Sequence, residues 1–466
     1  MPSLTNRKPM SGKQKKEELK SKRALKNQAN EEENQISELP RQDPEHFFLK
    51  FINDSDKVVA DNKIFGYDQF NFDDPVYKID QKIYLNKKYC PQLPCRPTNA
   101  KNMSLQQYKS AEIQVFESYF KSISPDLKQI ETNYCLFELN QEVYHQLWLV
   151  TEKSDILCII TDARFPLAHL PVNLLLYCQK SCKPIVILIN KSDLVSNYQI
   201  QTQKQFLQHY LKHLNINGLV IPFSAFVLFN QPEERLQFLD KLIAFGRQMT
   251  QKDVPEMVTF GFIGQPSVGK SKTMNALYGK TICKVKLTAG CTKHLQTYYL
   301  SDLQLPETNR SIMLCDCPGL VLPVKNSPRP LQVITGVFPT GRTREFLSAT
   351  RLVCENFPGF YERLKSIVSI QNIKQKYNVD TNFNTPGNLL DAIAYQLNYL
   401  VKGGNPWTHR AGLVIFKKIT DGTIPYEIQL SKEVCDEINF EFNEIDFIGF
   451  SKTVDKQILF EIEELQ

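Results

Sequence analysis

Gly264, Gln265, Pro266, Ser267, Val268, Gly269, Lys270 and Ser271 make an eight-residue loop of pattern G-x-x-x-x-G-K-S. The loop lies between an apolar run, Val258–Ile263, and a stretch of helical composition, Lys272–Tyr278. A loop that cradles phosphates needs that setting. Its glycines let backbone amides turn inward at a helix N-terminus, where the dipole favours anions. Lys270 offers a point charge to the β- and γ-phosphates, and the Ser271 hydroxyl can reach Mg²⁺. A second element, Asp316-Cys-Pro-Gly319, follows the apolar run Ile312–Cys315. At such a strand end Asp316 can hold Mg²⁺ through water, and the Gly319 amide can sense the γ-phosphate.

A third element reads a base. Asn190-Lys191-Ser192-Asp193 ends the run Pro184–Ile189. The Asp193 carboxylate can accept both the N1–H and the exocyclic amine of guanine, a pair of donors adenine does not offer. Asn190 and the stem of Lys191 would brace the loop and the base. Ser224-Ala225 follows another apolar run, Leu219–Phe223, and its backbone amides can donate to guanine O6. Alone, N-K-S-D could be a helix cap with Ser192 or Asp193 at the N-cap. The strand before it and the Ser-Ala downstream favour the base-reading role. The expected ligand is GTP or GDP with Mg²⁺, and Asn190–Asp193 disfavours an ATPase or kinase.

These loops need strands to hold them. Asp155–Thr161, Ile185–Ile189, Leu219–Phe223, Val258–Ile263 and Ile312–Cys315 are continuous apolar runs, the pattern of strands buried on both faces. Helical patterns separate the first four, which predicts an α/β fold with a mostly parallel sheet. Helical spacing also fills Ser104–Val150, where His145 and Trp148 fall on one face and are expected to pack on the sheet. Residues 41–100 mix phenylalanines with charges and hold a proline-rich stretch, Cys90–Pro97, so an extended wrap is expected there. After Pro328 the pattern turns helical over 344–402, then more strand-like and acidic from Ala411.

The chain has 466 residues, 42% of them hydrophobic, and a net charge of +6. Residues 1–30 carry nine Lys/Arg against Glu17 and Glu18, which leaves the remaining chain at about −1. The basicity is thus an N-terminal arm, expected to be disordered over 1–40, and it suits a polyanion such as RNA. No apolar run approaches the ~20 residues of a membrane span, and no apolar leader follows Met1. A soluble, intracellular protein with no membrane role is therefore expected. The twelve cysteines make no matched metal-binding pairs. Reduced, structural thiols are expected, with Cys178 and Cys182 on one helix facing the core, and no structural metal.

The base-reading loop at Asn190 precedes the phosphate loop at Gly264, the reverse of the usual order in Ras-like GTPases. The chain resembles the circularly permuted GTPases of the guanine nucleotide-binding protein-like group, related to bacterial ribosome-assembly GTPases. The resemblance extends to Lys13-Gln-Lys-Lys16, Leu139–Trp148, Thr161-Asp-Ala-Arg-Phe-Pro166, Gln296–Leu300, Asp316–Leu320 and Leu331–Gly336. It implies a circularly permuted Ras-like P-loop G domain over 141–325. A basic arm (1–40), a wrap with helices (41–140) and a C-terminal α+β domain (326–466) would flank it.

The resemblance also implies that Thr292 senses the γ-phosphate and joins Ser271 and Asp316 on the metal, although Ala289 stands where relatives have proline. Lys270, Thr292 and Gly319 are then the candidate catalytic residues. Leu320 replaces a water-orienting glutamine, which implies slow intrinsic hydrolysis. Ser267 replaces the asparagine that helps hold potassium in related enzymes. His294 is expected to be a plain loop histidine. The implied role is a nucleotide-dependent switch in ribosome assembly, in the nucleus or nucleolus, contacting RNA or a pre-ribosomal particle without DNA sequence specificity. The alternative is a GTP-dependent interaction or regulatory protein with negligible hydrolysis.

Overall fold

The computed structural model describes residues 63–97, 102–123, 135–251, 256–283, 295–300, 312–341 and 343–440. They all belong to the larger of two compact units, 49–466. The basic arm, Ala289, Thr292 and His294 lie outside the described residues.

Six strands form one sheet: β1 (Ile156–Asp162), β2 (Ile185–Asn190), β3 (Gly218–Pro222), β4 (Val258–Ile263), β5 (Gln296–Tyr299) and β6 (Ile312–Asp316). Their order is β3-β2-β1-β4-β6-β5. All neighbours are parallel except β5, which runs antiparallel to β6. Every residue of β1, β2 and β4 is buried, as their unbroken apolar sequences require. Alternation is still visible in what each side chain meets. Leu157 and Ile159 enter the core on one face of β1, while Ile156, Cys158 and Ile160 enter the core on the other. The short edge strand β5 went unpredicted because its four residues are largely exposed and show no apolar pattern.

The chain lays β1, β2 and β3 outward to one side, then returns to place β4 against the free edge of β1. Strand order therefore reverses between β1 and β4. In doubly wound sheets the crevice beyond the carboxyl ends of such a strand pair is where ligands bind.

The helices are α1 (Leu105–Ile123), α2 (Gln141–Lys153), α3 (Pro166–His169), α4 (Val172–Lys180), α5 (Asn197–His213), α6 (Ala225–Asn230), α7 (Pro232–Thr250) and α8 (Lys270–Tyr278). After β6 come α9 (Arg329–Ile334), α10 (Phe346–Asn356), α11 (Phe360–Ser366), α12 (Ile370–Tyr377), α13 (Pro386–Gln396), α14 (Thr408–Asp421) and α15 (Lys432–Glu437). One face of the sheet packs on α6, α7 and α8. The other packs on α2, α4 and α5, in a core continuous with that of α10, α13 and α14.

The strand-like character expected from Ala411 is not found among the described residues. Ala411, Ile415, Phe416 and Ile419 recur at helical spacing and are the buried stripe of α14. Residues 441–466 lie outside the described residues. Cys182 also departs from expectation. It falls beyond the end of α4 in a left-handed conformation and is exposed, whereas Cys178 is buried.

Residues 63–97 run as a largely irregular strap with a 3₁₀ helix at Gln81–Tyr84. The buried Arg351 guanidinium on α10 donates to the carbonyls of Phe65, Asp68 and Gln69, and Glu355 one turn on accepts from the amides of Asn71 and Val76. Farther along, the Trp148 indole donates to the Pro94 carbonyl at 2.9 Å. His145 pairs with Glu112 of α1 at 3.0 Å. Among the described residues no helix is long and apolar enough to cross a membrane.

Candidate functional site

β4 leads straight into Gly264–Gly269, and α8 begins at Lys270 with Gly269 as its N-cap. Gly269 has φ of 100°, the left-handed region that favours glycine, and a Cβ there would overlap the Asn190 amide nitrogen. Lys270 is buried and donates to the carbonyls of Gly264 (2.9 Å) and Gln265 (2.7 Å), so its ammonium lies folded over the mouth of the loop. Burial pushes its pKa down, against the pull of Asp316.

Asp316, the last residue of β6, is wholly buried next to the loop. Its Oδ2 lies 3.3 Å from the Ser271 hydroxyl, and its buried Oδ1 has no hydrogen-bond partner. Burial raises its pKa to about 6, although Lys270 and Ser271 pull it down. A carboxylate with an orphaned oxygen beside a hydroxyl fits a hard divalent cation such as Mg²⁺. Gly319 closes over the loop. A Cβ there would stand 3.1 Å from the Pro266 backbone and 3.2 Å from Lys270 Nζ. Lys270, Ser271, Asp316 and Gly319 therefore converge. Thr292 cannot be placed, because it lies outside the described residues.

Asn190–Asp193 reaches the same sheet edge from the end of β2. Asn190 is buried and spans three segments. Its Nδ2 donates to the Val268 carbonyl at 2.8 Å, and its Oδ1 accepts the Ala225 amide at 3.0 Å. That amide, expected to serve guanine O6, is already engaged and could do so only by sharing its hydrogen. Ser224 caps α6, its hydroxyl accepting from the Val227 amide. Asp193 stands exposed in a 3₁₀ turn, Ser192–Leu194, pinned where the Ser192 amide meets the Phe223 carbonyl.

Lys191 takes a left-handed backbone (φ 63°) and pairs through Nζ with Asp162 Oδ2 at 2.7 Å. Burial lowers its pKa to about 8, with Asp162 opposing the shift. Burial alone would raise the Asp162 carboxyl, but Arg164 and Lys191 together hold it well below the ordinary carboxylate range.

The sequence motifs alone assign Asp162, Arg164 and His169 no role of their own. A legible signal existed: Asp-Ala-Arg directly after a wholly apolar strand puts opposite charges where only paired charges are tolerated. His169 is fully buried with neither ring nitrogen hydrogen-bonded, and burial lowers its pKa to about 3.

A family model described as 50S ribosome-binding GTPase matches residues 259–354. Large subunit GTPase 1 of Saccharomyces cerevisiae is 28% identical over 396 residues, covering 74% of this chain and 60% of that protein. GTPase LSG1-1 of Arabidopsis thaliana is 28% identical over 375 residues, 72% of this chain and 67% of that protein. Guanine nucleotide-binding protein-like 1 of Rattus norvegicus is 27% identical over 390 residues, 67% of this chain and 61% of that protein. The chain thus spans 60–67% of the length of these relatives. Among solved structures, GDP-bound YlqF is 20% identical over 62% of this chain and 99% of that chain, with a TM-score of 0.37. Asn190–Asp193 thus stands ahead of Gly264–Ser271 on one sheet, and the chain carries a region similar to a GTPase domain and is similar over most of its length to the large subunit and guanine nucleotide-binding protein-like GTPases.

Proposed function

We propose that the protein binds GTP and GDP at the β1/β4 crevice, hydrolyses GTP slowly, and acts as a nucleotide-dependent switch. The observation that carries this reading is the Asn190 side chain, which joins the phosphate loop at Val268 to the base loop and to Ala225. Phosphate-binding and base-binding residues thereby form one site. Gly264–Ser271 hold the phosphates, with Lys270 on the β- and γ-oxygens. Asp193 reads guanine. Ser271 and Asp316, joined by Thr292, would hold Mg²⁺, which when bound would supply positive charge beside the phosphate oxygens. The Gly319 amide senses the γ-phosphate.

Slow turnover follows from Leu320. Its side chain is 4% exposed, packs in the main core and has no atom to align a water. The same observation favours the second reading, a GTP-dependent interaction protein with negligible hydrolysis. Chain direction supports the switch: from Asp316–Leu320 the chain passes through Leu322 and Val324, both buried, into α9 and the helices beyond.

A ribosomal target is suggested by relatives named large subunit GTPase and by the basic arm, so the reading extends to RNA or a pre-ribosomal particle in the nucleus or nucleolus. Single-turnover GTP hydrolysis with and without ribosomal subunits tests it. Acceleration by subunits is expected. GTP binding without hydrolysis under either condition would support the interaction-protein reading, and displacement of bound GTP by excess ATP would refute guanine specificity. Deleting residues 1–30 is expected to weaken RNA association and flatten its salt dependence.

A further inference from the structure

Arg164 is fully buried, and its guanidinium is held on several sides. Nε and Nη2 reach the two Asp162 oxygens at 3.0 and 2.7 Å. Nη1 donates to the Ile419 carbonyl at 2.5 Å and Nη2 to the Thr420 carbonyl at 3.0 Å. Tyr426 covers the guanidinium face at 4.7 Å. Ile419 and Thr420 belong to the last turn of α14, whose carbonyls have no acceptor role left inside the helix and whose dipole end favours a cation. The same carboxylate oxygen that meets Nη2 also takes the Lys191 ammonium. One buried aspartate therefore serves both the base-reading loop and the end of α14.

A second contact joins the same two segments independently. Gly422 ends α14 with φ of 97°, and a Cβ there would stand 2.5 Å from Leu194 Cδ1. Leu194 directly follows Asp193.

We propose that Arg164 is a positioning residue through which docking of the α14 end sets the geometry of the guanine-reading loop. This rests on the assignment of Asp193 to guanine made above. Buried charges are stable together only while each stays bonded. When α14 withdraws, Arg164 loses two acceptors, the Asp162 cluster must rearrange, and Lys191 loses its fixed partner. Coupling is reciprocal, so a bound guanine must also hold α14 in place. The C-terminal helices then answer to the base as well as to the γ-phosphate.

The test compares GDP with IDP, which differ only in the exocyclic amine that Asp193 would accept. Full-length parent, Gly422→Ala, Arg164→Lys and Gly404→Ala are titrated with both nucleotides. Gly404 is also left-handed (φ 82°) but has open space where a Cβ would go, so it controls for backbone strain. The parent is expected to prefer GDP by about tenfold or more, because a site built to accept the amine is left unpaired by IDP. Gly422→Ala and Arg164→Lys are each expected to lose about fivefold or more of that preference, and Gly404→Ala none. Should one of the first two not fold, the other decides.

A readout on the unmodified protein stands beside them: amide exchange in the last turn of α14 is expected to slow more with GDP than with IDP. Unchanged preference in the folded variants, or equal protection by both nucleotides, overturns the proposal. A parent that binds GDP and IDP alike refutes the guanine assignment itself, and that result is visible before any variant is made.

Discussion

Asn190 Nδ2 lies 2.8 Å from the Val268 carbonyl, a hydrogen bond between residues 78 positions apart in the chain. It ties the loop after β2, proposed above to read guanine, to the Gly264–Ser271 loop across the carboxyl edge of β1 and β4. The other end of the same amide holds Ala225, so three loops share one buried side chain. Gly269 has to lack a Cβ to let that amide pass.

Asn190→Ala removes both bonds and leaves a buried carbonyl and a buried amide unpaired. At about 1–3 kcal/mol for each orphaned group the two cost about 2–6 kcal/mol together, so guanine-nucleotide affinity is expected to fall by about 30-fold or more. Fluorescence titration with GDP measures it. An affinity within about threefold of the parent would mean that the loops hold their geometry without Asn190.

Asp193→Asn replaces a carboxylate with an amide that presents the wrong pattern to guanine. GTP affinity is expected to drop by roughly 10³–10⁴-fold. Xanthosine triphosphate, which carries a carbonyl in place of the amine, is expected to recover part of the loss. Competition binding with the two triphosphates separates a lost base contact from a damaged fold, and parental GTP affinity in the variant would remove Asp193 from the site.

Much of this arrangement was legible because each loop directly follows a strand with an unbroken apolar sequence. Val258–Ile263 and Ile312–Asp316 could be read as buried strands, so Gly264–Ser271 and Asp316 could be placed at one sheet edge. The segment from Ala411 misled because its β-branched and aromatic residues suggest strand, while their spacing makes the buried face of α14. The tie from Arg164 to α14 was hidden for a different reason. Its partners at Ile419 and Thr420 are backbone carbonyls about 255 residues away, which carry no side-chain signature.

His169 gives the fold an acid-sensitive point. Its pKa is lowered to about 3 by burial, with Asp162 opposing the shift. The unfolded chain therefore takes up this proton first, and stability is lost as pH falls from the ordinary histidine range toward the folded value. The slope from one such group is about 1.4 kcal/mol per pH unit. His169→Leu removes that slope along with two unpaired ring nitrogens, so stability at neutral pH is expected to hold or rise. Urea unfolding at about pH 7 and about pH 5.5 is expected to show a smaller acid loss in the variant, by about 1 kcal/mol or more. Equal losses in the two proteins would mean that His169 finds a partner when charged.

Potassium dependence turns on Ser267. It sits half-buried in the phosphate loop with φ of 61°, and its Cβ would stand 3.0 Å from a Cβ added at Gly336. With Leu320 buried and silent, Lys270, the metal and one further positive group have to meet the charge that develops between the β- and γ-phosphates. A potassium ion could be that group only if the loop offers it oxygen ligands. Ser267 offers one short hydroxyl where related enzymes offer an asparagine carbonyl. Hydrolysis is therefore expected to run at nearly the same rate in potassium and in sodium. Ser267→Asn suits the backbone, since asparagine tolerates the left-handed region. This variant is expected to gain a rate that depends on potassium and not on sodium. The decisive quantity is the ratio of single-turnover rates in the two salts for each protein. A high ratio in the parent would show that other oxygens hold the ion, and the role given to Ser267 would fall.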